Sequence, residues 1–307
     1  MSAVTEPQPS RSRTVRSGLR EGRAAWILTL PFALLFLVFT LWPVIQSLFM
    51  SFTDTRSKDL RTPFSVQFIG LDNYIRALSD PTFLKAVRNT AYFVVVGVPL
   101  TMLLALLAAV ALDKGITKFR SAFRLGFYTP VVTSIVAVAV VWRFLYQREE
   151  GLFNTVLGWV GIDGPNWLGD PNWSMPAMIL LAVWRNFGTA MIIFLAGLQA
   201  VPWSLHEAAA IDGASAWQRF RHVTLPLLRP TILFVSVTTA IGYLQVFEEP
   251  FVMTSGGPLD STLTVSMYTY EQFGFGNYGF AASMSYLIFV VIAIVTAIQF
   301  RLLRERT

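Results

Sequence analysis

Six long apolar stretches decide what this chain of 307 residues can become. They lie near 26–50, 91–112, 123–146, 175–198, 231–250 and 283–302. A bilayer core about 30 Å thick is crossed by about 20 mostly apolar residues in a helix, and within it every backbone N–H and C=O must be satisfied inside the element. Barrel strands are about ten residues long and strictly alternating, which these stretches are not. The reading is an all-α integral membrane protein with six transmembrane helices. Only 14% of the residues are charged and the mean hydropathy is +0.55, whereas soluble chains carry about 25% charged residues.

The chain has no cysteine and only two histidines, His206 and His222. Disulfides, thiol nucleophiles and iron–sulfur clusters are excluded, and a His-rich metal site is disfavoured. There is no G-x-x-x-x-G-K-[ST] phosphate loop, so any ATP is expected to be hydrolysed by another polypeptide. The acidic pair Glu149 and Glu150 has no nucleophile or metal-ligand cluster beside it and reads as solvated charge. No catalytic role and no cofactor bound by this chain are expected.

The basic balance of +6 is an orientation signal. With the N-terminus inside, the alternate inner segments hold fifteen Lys and Arg and the outer ones seven, while Arg143 and Arg185 fall within spans. Cytoplasmic loops are enriched in both residues, so both termini are expected in the cytoplasm and nucleic acid is not an expected partner. The arginine-rich tail, 1–23, resembles the start of a secretory signal, but the apolar run after it exceeds the 7–15 residues of a signal core. It is read as a cytoplasmic basic tail before a retained helix, kinked at Pro31 or Pro43, with 24–307 forming one membrane domain. Trp26, Trp42 and Trp142, near span ends, read as interfacial belt residues.

The inner loop 199–230 is unlike the others. Ser204 and Glu207 have capping-box spacing, Ala208, Ala209 and Ala210 favour helix, and Gly213 suits the left-handed residue that ends one. A second short helix is expected from Ser215, with Trp217, Phe220 and Thr224 on one side and Pro226 as its stop. Such a helix pair either rests in the headgroups or docks into a soluble partner.

The spacing within that loop resembles a cytoplasmic signature of bacterial ATP-binding-cassette importer permeases: E-A-A, three residues, G, nine residues, I-x-L-P. Here it reads Glu207-Ala208-Ala209, Gly213 and Val223-Thr224-Leu225-Pro226, with Val223 in place of the frequent Ile. Phe68–Tyr74 with Asn89-Thr90, Gly151–Asn154 and Thr254–Pro258 resemble outer patterns of the carbohydrate-importer branch, first-permease type. The resemblance implies a bacterial inner-membrane permease for a di- or oligosaccharide or a related polyol phosphate. Its implied partners are a second permease, two ATPase subunits carrying ATP and Mg, an extracytoplasmic solute-binding protein and membrane lipid. It also implies that Glu207, Ala208, Ala209, Asp212, Gly213, Ser215, Trp217 and Phe220 form the coupling helix that meets an ATPase.

Arg185 lies near the middle of the fourth span, where an unpartnered charge costs several kcal/mol. It is expected to face the interior, either pairing with Glu248 or binding substrate hydroxyls or an anionic group. Asn186, Thr189, Thr239, Tyr243 and Gln245 are candidates for the same path, since amides, hydroxyls and aromatic faces suit sugars; the alternative for each is helix–helix adhesion. An ion-coupled secondary carrier is the competing function, although no internal repeat is evident.

Overall fold

The computed structural model describes residues 26–60, 66–115 and 119–303. The basic tail and the proline at 63 lie outside them. Among the described residues five helices are long and apolar enough to cross a membrane, and one bent helix pair makes a sixth crossing if it counts as one span. Among the described residues there is no strand, only an isolated bridge between Thr53 and Phe68.

The first span, α1 (Trp26–Ser51), is interrupted by a wide π turn at Leu37–Leu41. That turn directly precedes Pro43, whose missing N–H and bulky ring disrupt the regular hydrogen-bond ladder. After a short helix α2 (Asp72–Ser79) comes the long helix α3 (Pro81–Val110). The Asp80 carboxylate accepts from the Thr82 N–H at 2.8 Å, and Pro81 occupies the first helical position. A proline there loses no bond, so cap and proline together start the helix. The helix therefore begins ten residues before the apolar run at 91, because its first turns are polar. Asp170 and Pro171 repeat the device at the start of α7 (Pro171–Gln199), where Asp170 accepts from the Asn172 N–H at 2.8 Å.

The third span is not the single helix expected over 123–146. It consists of α4 (Arg120–Val132) and α5 (Ile135–Leu145), bent by 100°. Thr133 and Ser134 have extended backbone at the break. Pro130 withholds a ladder donor, and the Thr129 and Thr133 hydroxyls donate to the carbonyls of Leu125 and Thr129, two features known to bend helices. A short helix α6 (Leu152–Trp159) leads on to α7. Trp142 is not a belt residue: it is 7% exposed and packs on Tyr146, Phe153 and Trp184.

Past α7 come α8 (Trp203–Ile211), α9 (Ala216–Arg219), α10 (Arg229–Leu244), α11 (Glu248–Met253), α12 (Val265–Gly274) and α13 (Tyr278–Leu303). The centre of the bundle is α3 against α7. Ala105 and Ala109 on α3 and Ala190 on α7 lie in one cluster with Met191, Phe194 and Leu228. Small residues let membrane helices approach closely, which matters where the lipid is as apolar as the side chains. Gly188 is the tightest such point, because a Cβ there would meet the Phe127 carbonyl. Tyr286 on α13 donates to the Val44 carbonyl at 2.6 Å, tying α1 to the last span.

Candidate functional site: a cavity between spans and an exposed elbow

All seven residues picked as path-lining, Arg185, Asn186, Thr189, Thr239, Tyr243, Gln245 and Glu248, line one open cavity of about 460 Å³. Two elements build it. On α7, Arg185, Asn186, Thr189 and Ile193 share a helical face. On the other side, α10 breaks at Gln245–Phe247 before α11 starts at Glu248. The break leaves carbonyls without helical partners, and the Thr264 hydroxyl donates to that of Val246 at 2.8 Å. Glu248 and Glu249 then fall in the first turn of α11, where the helix dipole favours negative charge. Broken helices at this depth place polar backbone and side chains around a site that unbroken helices would leave apolar.

Among the described residues Arg185 makes no ion pair, and its buried Nε has no hydrogen-bond partner. The pairing with Glu248 is therefore not formed as a direct bridge. Asn186 donates to the Ala182 carbonyl at 2.8 Å and remains half-buried. Tyr243 is only 5% exposed; its hydroxyl lies 2.8 Å from that of Thr101, and its ring meets Phe93 edge-on at 5.0 Å. It builds the wall more than it offers surface. Gly97 makes room for that ring, since a Cβ there would lie 2.8 Å from Tyr243 Cε2. Glu249, buried at 7% exposure, and Thr238, Phe93 and Phe247 also line the cavity without having been singled out. The adjacency of Glu249 to Glu248 was the available signal.

The second candidate site is the elbow of α8 and α9. The Ser204–Glu207 capping box does not form: Ser204 is already inside α8, and Glu207 Oε1 accepts instead from Trp203 Nε1 at 2.8 Å. The box is at Ser215, whose hydroxyl accepts from the Gln218 N–H while Gln218 Oε1 accepts from the Ser215 N–H. Gly213 has φ +80°, with the Gly213 N–H donating to Ala210 and the Ala214 N–H to Ala209. This is the paired-bond ending that requires a left-handed residue. Pro226 does not stop the second helix. A π turn over Phe220–Thr224 precedes it, and helical residues run on to Leu227.

Glu207, Ala208, Asp212, Gly213, Ser215 and Trp217 are exposed, and Ala209 and Phe220 half-buried. Trp203, Ile211 and Trp217 are 69%, 86% and 67% exposed, and Trp217 stacks on Phe220 at 5.7 Å. The root of the elbow is fixed: Leu228 is fully buried in one cluster with Leu198 of α7 and Val235 of α10.

A family model described as the binding-protein-dependent transport system inner membrane component matches residues 77–307. The chain belongs to this family. It is the transmembrane permease subunit of a binding-protein-dependent importer, so the ion-coupled carrier reading is set aside. The permease is 37% identical over 287 residues to the lactose transport system permease protein of Rhizobium radiobacter, covering 92% of this chain and 94% of the relative. It is 33% identical to the trehalose/maltose transport system permease protein of Thermococcus litoralis, covering 94% and 96%. Among solved structures it matches a chain of a bacterial importer of the acidic polysaccharide alginate, with TM-score 0.77, 25% identity and coverage of 96% and 99%. A second crystal structure, of a bacterial alginate transporter in complex with its alginate pentasaccharide-bound periplasmic protein, matches at TM-score 0.76 and 26% identity, covering 94% and 96%.

Proposed function

We propose that this permease forms half of the translocation path of an ATP-driven importer for a di- or oligosaccharide, and that its elbow is where an ATPase subunit works the path. The carrying observation is the convergence of seven polar side chains from two facing elements on one cavity within apolar spans. Arg185 and Asn186 supply donors, Glu248 an acceptor, Thr189 and Thr239 hydroxyls, and Phe247 an apolar ring, a set that matches a sugar's hydroxyl edges and apolar faces. In this reading the chain is non-catalytic and binds no cofactor; ATP and Mg sit on two partner ATPase subunits. A second permease supplies the other half of the path, and an extracytoplasmic binding protein delivers the solute. Closure of the ATPases moves the elbow, and the buried Leu228 root passes that motion to α7 and α10, the two walls of the cavity.

A polyol phosphate or acidic sugar is the second reading, favoured by the unpartnered Arg185 Nε and opposed by the two carboxylates beside it. The test is uptake by the assembled complex in vesicles, with binding protein outside and ATP inside. Uptake is expected to require internal ATP and to survive an uncoupler; the reverse overturns the proposal. In this reading both termini lie in the cytoplasm. Because the chain has no cysteine, Glu150→Cys gives a single reporter that an impermeant thiol reagent reaches only from outside.

A further inference from the structure

We propose that the outer end of α5 carries a binding site for the phosphate of an anionic phospholipid headgroup. A cleft of about 470 Å³, separate from the path, is lined by Val140, Arg143, Phe144, Gln147, Arg148 and Asn166, with Tyr146 and Leu168 behind them. Two arginines and two amides make it a cleft of donors, and no carboxylate lines it. The guanidinium groups of Arg143 and Arg148 form no hydrogen bond or ion pair among the described residues, and Glu149 and Glu150 stay exposed without bridging to either.

Position decides which anion fits. Arg143 lies in the last turns of a spanning segment, flanked by Val140 and Phe144 at 42% and 61% exposure, with Val136 and Val141 also exposed. An arginine on such an apolar surface is stable where its stem lies along hydrocarbon and its head reaches the interface. The neighbouring α6 has Leu152, Val156 and Trp159 exposed, followed by Val160 and Ile162. An uncharged short helix with an exposed tryptophan belongs at the boundary between headgroups and acyl chains. The rings of Trp142, Tyr146, Phe153 and Trp167 lock α5, α6 and the following loop together, so the cleft is held at that depth. A phosphate diester with acyl chains along Val140 and Phe144 satisfies both the charge and the apolar flank. On the orientation proposed above, this is the outer leaflet.

The test uses the assembled complex in vesicles of phosphatidylcholine with phosphatidylglycerol, followed by extraction and native mass spectrometry. The unsubstituted complex is expected to retain phosphatidylglycerol, and Arg143→Gln with Arg148→Gln to retain about 25-fold less, since each arginine near an anionic surface contributes about fivefold. Arg88→Gln, an exposed outer charge elsewhere, is expected to change nothing. Equal retention by the double variant overturns the site. Displacement by inorganic phosphate reassigns it to a free anion, and loss of the second permease from the complex shows that the arginines meet protein; either result overturns the lipid. Failure of the permease reading would register separately, as absent ATP-dependent uptake by the unsubstituted complex.

Discussion

The cavity and the elbow break the same rule in opposite directions. The cavity gathers a half-buried guanidinium, one buried and one exposed carboxylate and several hydroxyls among apolar spans. The elbow holds Trp203, Ile211 and Trp217 out on a loop between spans, away from the core. In a membrane protein most surface is apolar, so an exposed leucine on α1 carries no message; lipid covers it. Information lies where polarity disagrees with the local solvent. A polar side chain at midmembrane depth needs a partner or cargo, and an apolar side chain facing the cytosol needs a groove. The two sites are joined by α7 and α10, whose elbow-side ends meet at Leu228 and whose middles face each other across the cavity.

The largest effect is expected from Gly213→Val, which attacks the elbow alone. At φ +80° a β-branched residue strains the backbone, by about 1–2 kcal/mol for an ordinary L-residue and more when branched. Space is not the problem, because a Cβ there meets nothing; the turn is. The angle between α8 and α9 should change, and ATPase subunits should no longer co-purify while the permease pair still inserts. If the ATPase binds Gly213→Val as firmly as the native chain, the elbow is not the docking element.

Arg185→Leu attacks the cavity alone. Hydrogen bonds to a charged group contribute about 1.5–3 kcal/mol, so uptake should fall about ten- to hundredfold. ATPase co-purification should stay unchanged. Normal uptake would make Arg185 a structural charge, and loss of assembly would make it a packing element. Together the two variants separate coupling from transport. A single variant at Glu207 does not, because its bond to Trp203 also holds α8.

The spans, the left-handed Gly213 and the cavity residues were legible in the sequence because each rests on a local rule: apolar run length, φ > 0, and the cost of charge in lipid. The bend at Thr133–Ser134 was not, since hydropathy is blind to backbone direction and runs unbroken through it. The capping box was misplaced for a similar reason. Ser204–Glu207 and Ser215–Gln218 have the same spacing, and only the helix start, at Trp203 rather than Leu205, tells them apart. Asn89 and Asn154, part of the outer patterns, proved to be loop staples. Asn89 donates to the Asp260 and Leu263 carbonyls, and Asn154 to those of Arg148 and Pro165. Long-range bonds of this kind leave no trace in spacing.

Tyr243→Phe sharpens the comparison from the cavity side. Removing the phenol hydroxyl leaves the fully buried Thr101 hydroxyl without its 2.8 Å partner, a loss of about 1–3 kcal/mol. Because the ring stays against Phe93 and over Gly97, the wall keeps its shape. The expected outcome is a lower melting temperature of the purified complex with uptake reduced less than in Arg185→Leu. Equal or greater loss of uptake would move Tyr243 from the wall into direct contact with the solute.

The smallest effect is expected from Gln218→Ala, the elbow's counterpart to Tyr243→Phe. It deletes one of the two reciprocal bonds, the one from the Ser215 N–H to Gln218 Oε1 at 2.7 Å, and keeps the Ser215 hydroxyl as acceptor for the N–H of residue 218. Caps contribute about 0.5–2 kcal/mol when removed whole, and here half remains in an exposed helix where water replaces the lost partner. Helix α9 has few residues of its own, so its start is held by this cap while its far end is carried into the core by Thr224 and Leu228. ATPase affinity should therefore fall by less than about tenfold, with uptake following it in proportion. If uptake falls while ATPase affinity does not, the elbow transmits motion through the stiffness of α9 rather than through docking strength, and the Leu228 root becomes the element to substitute next.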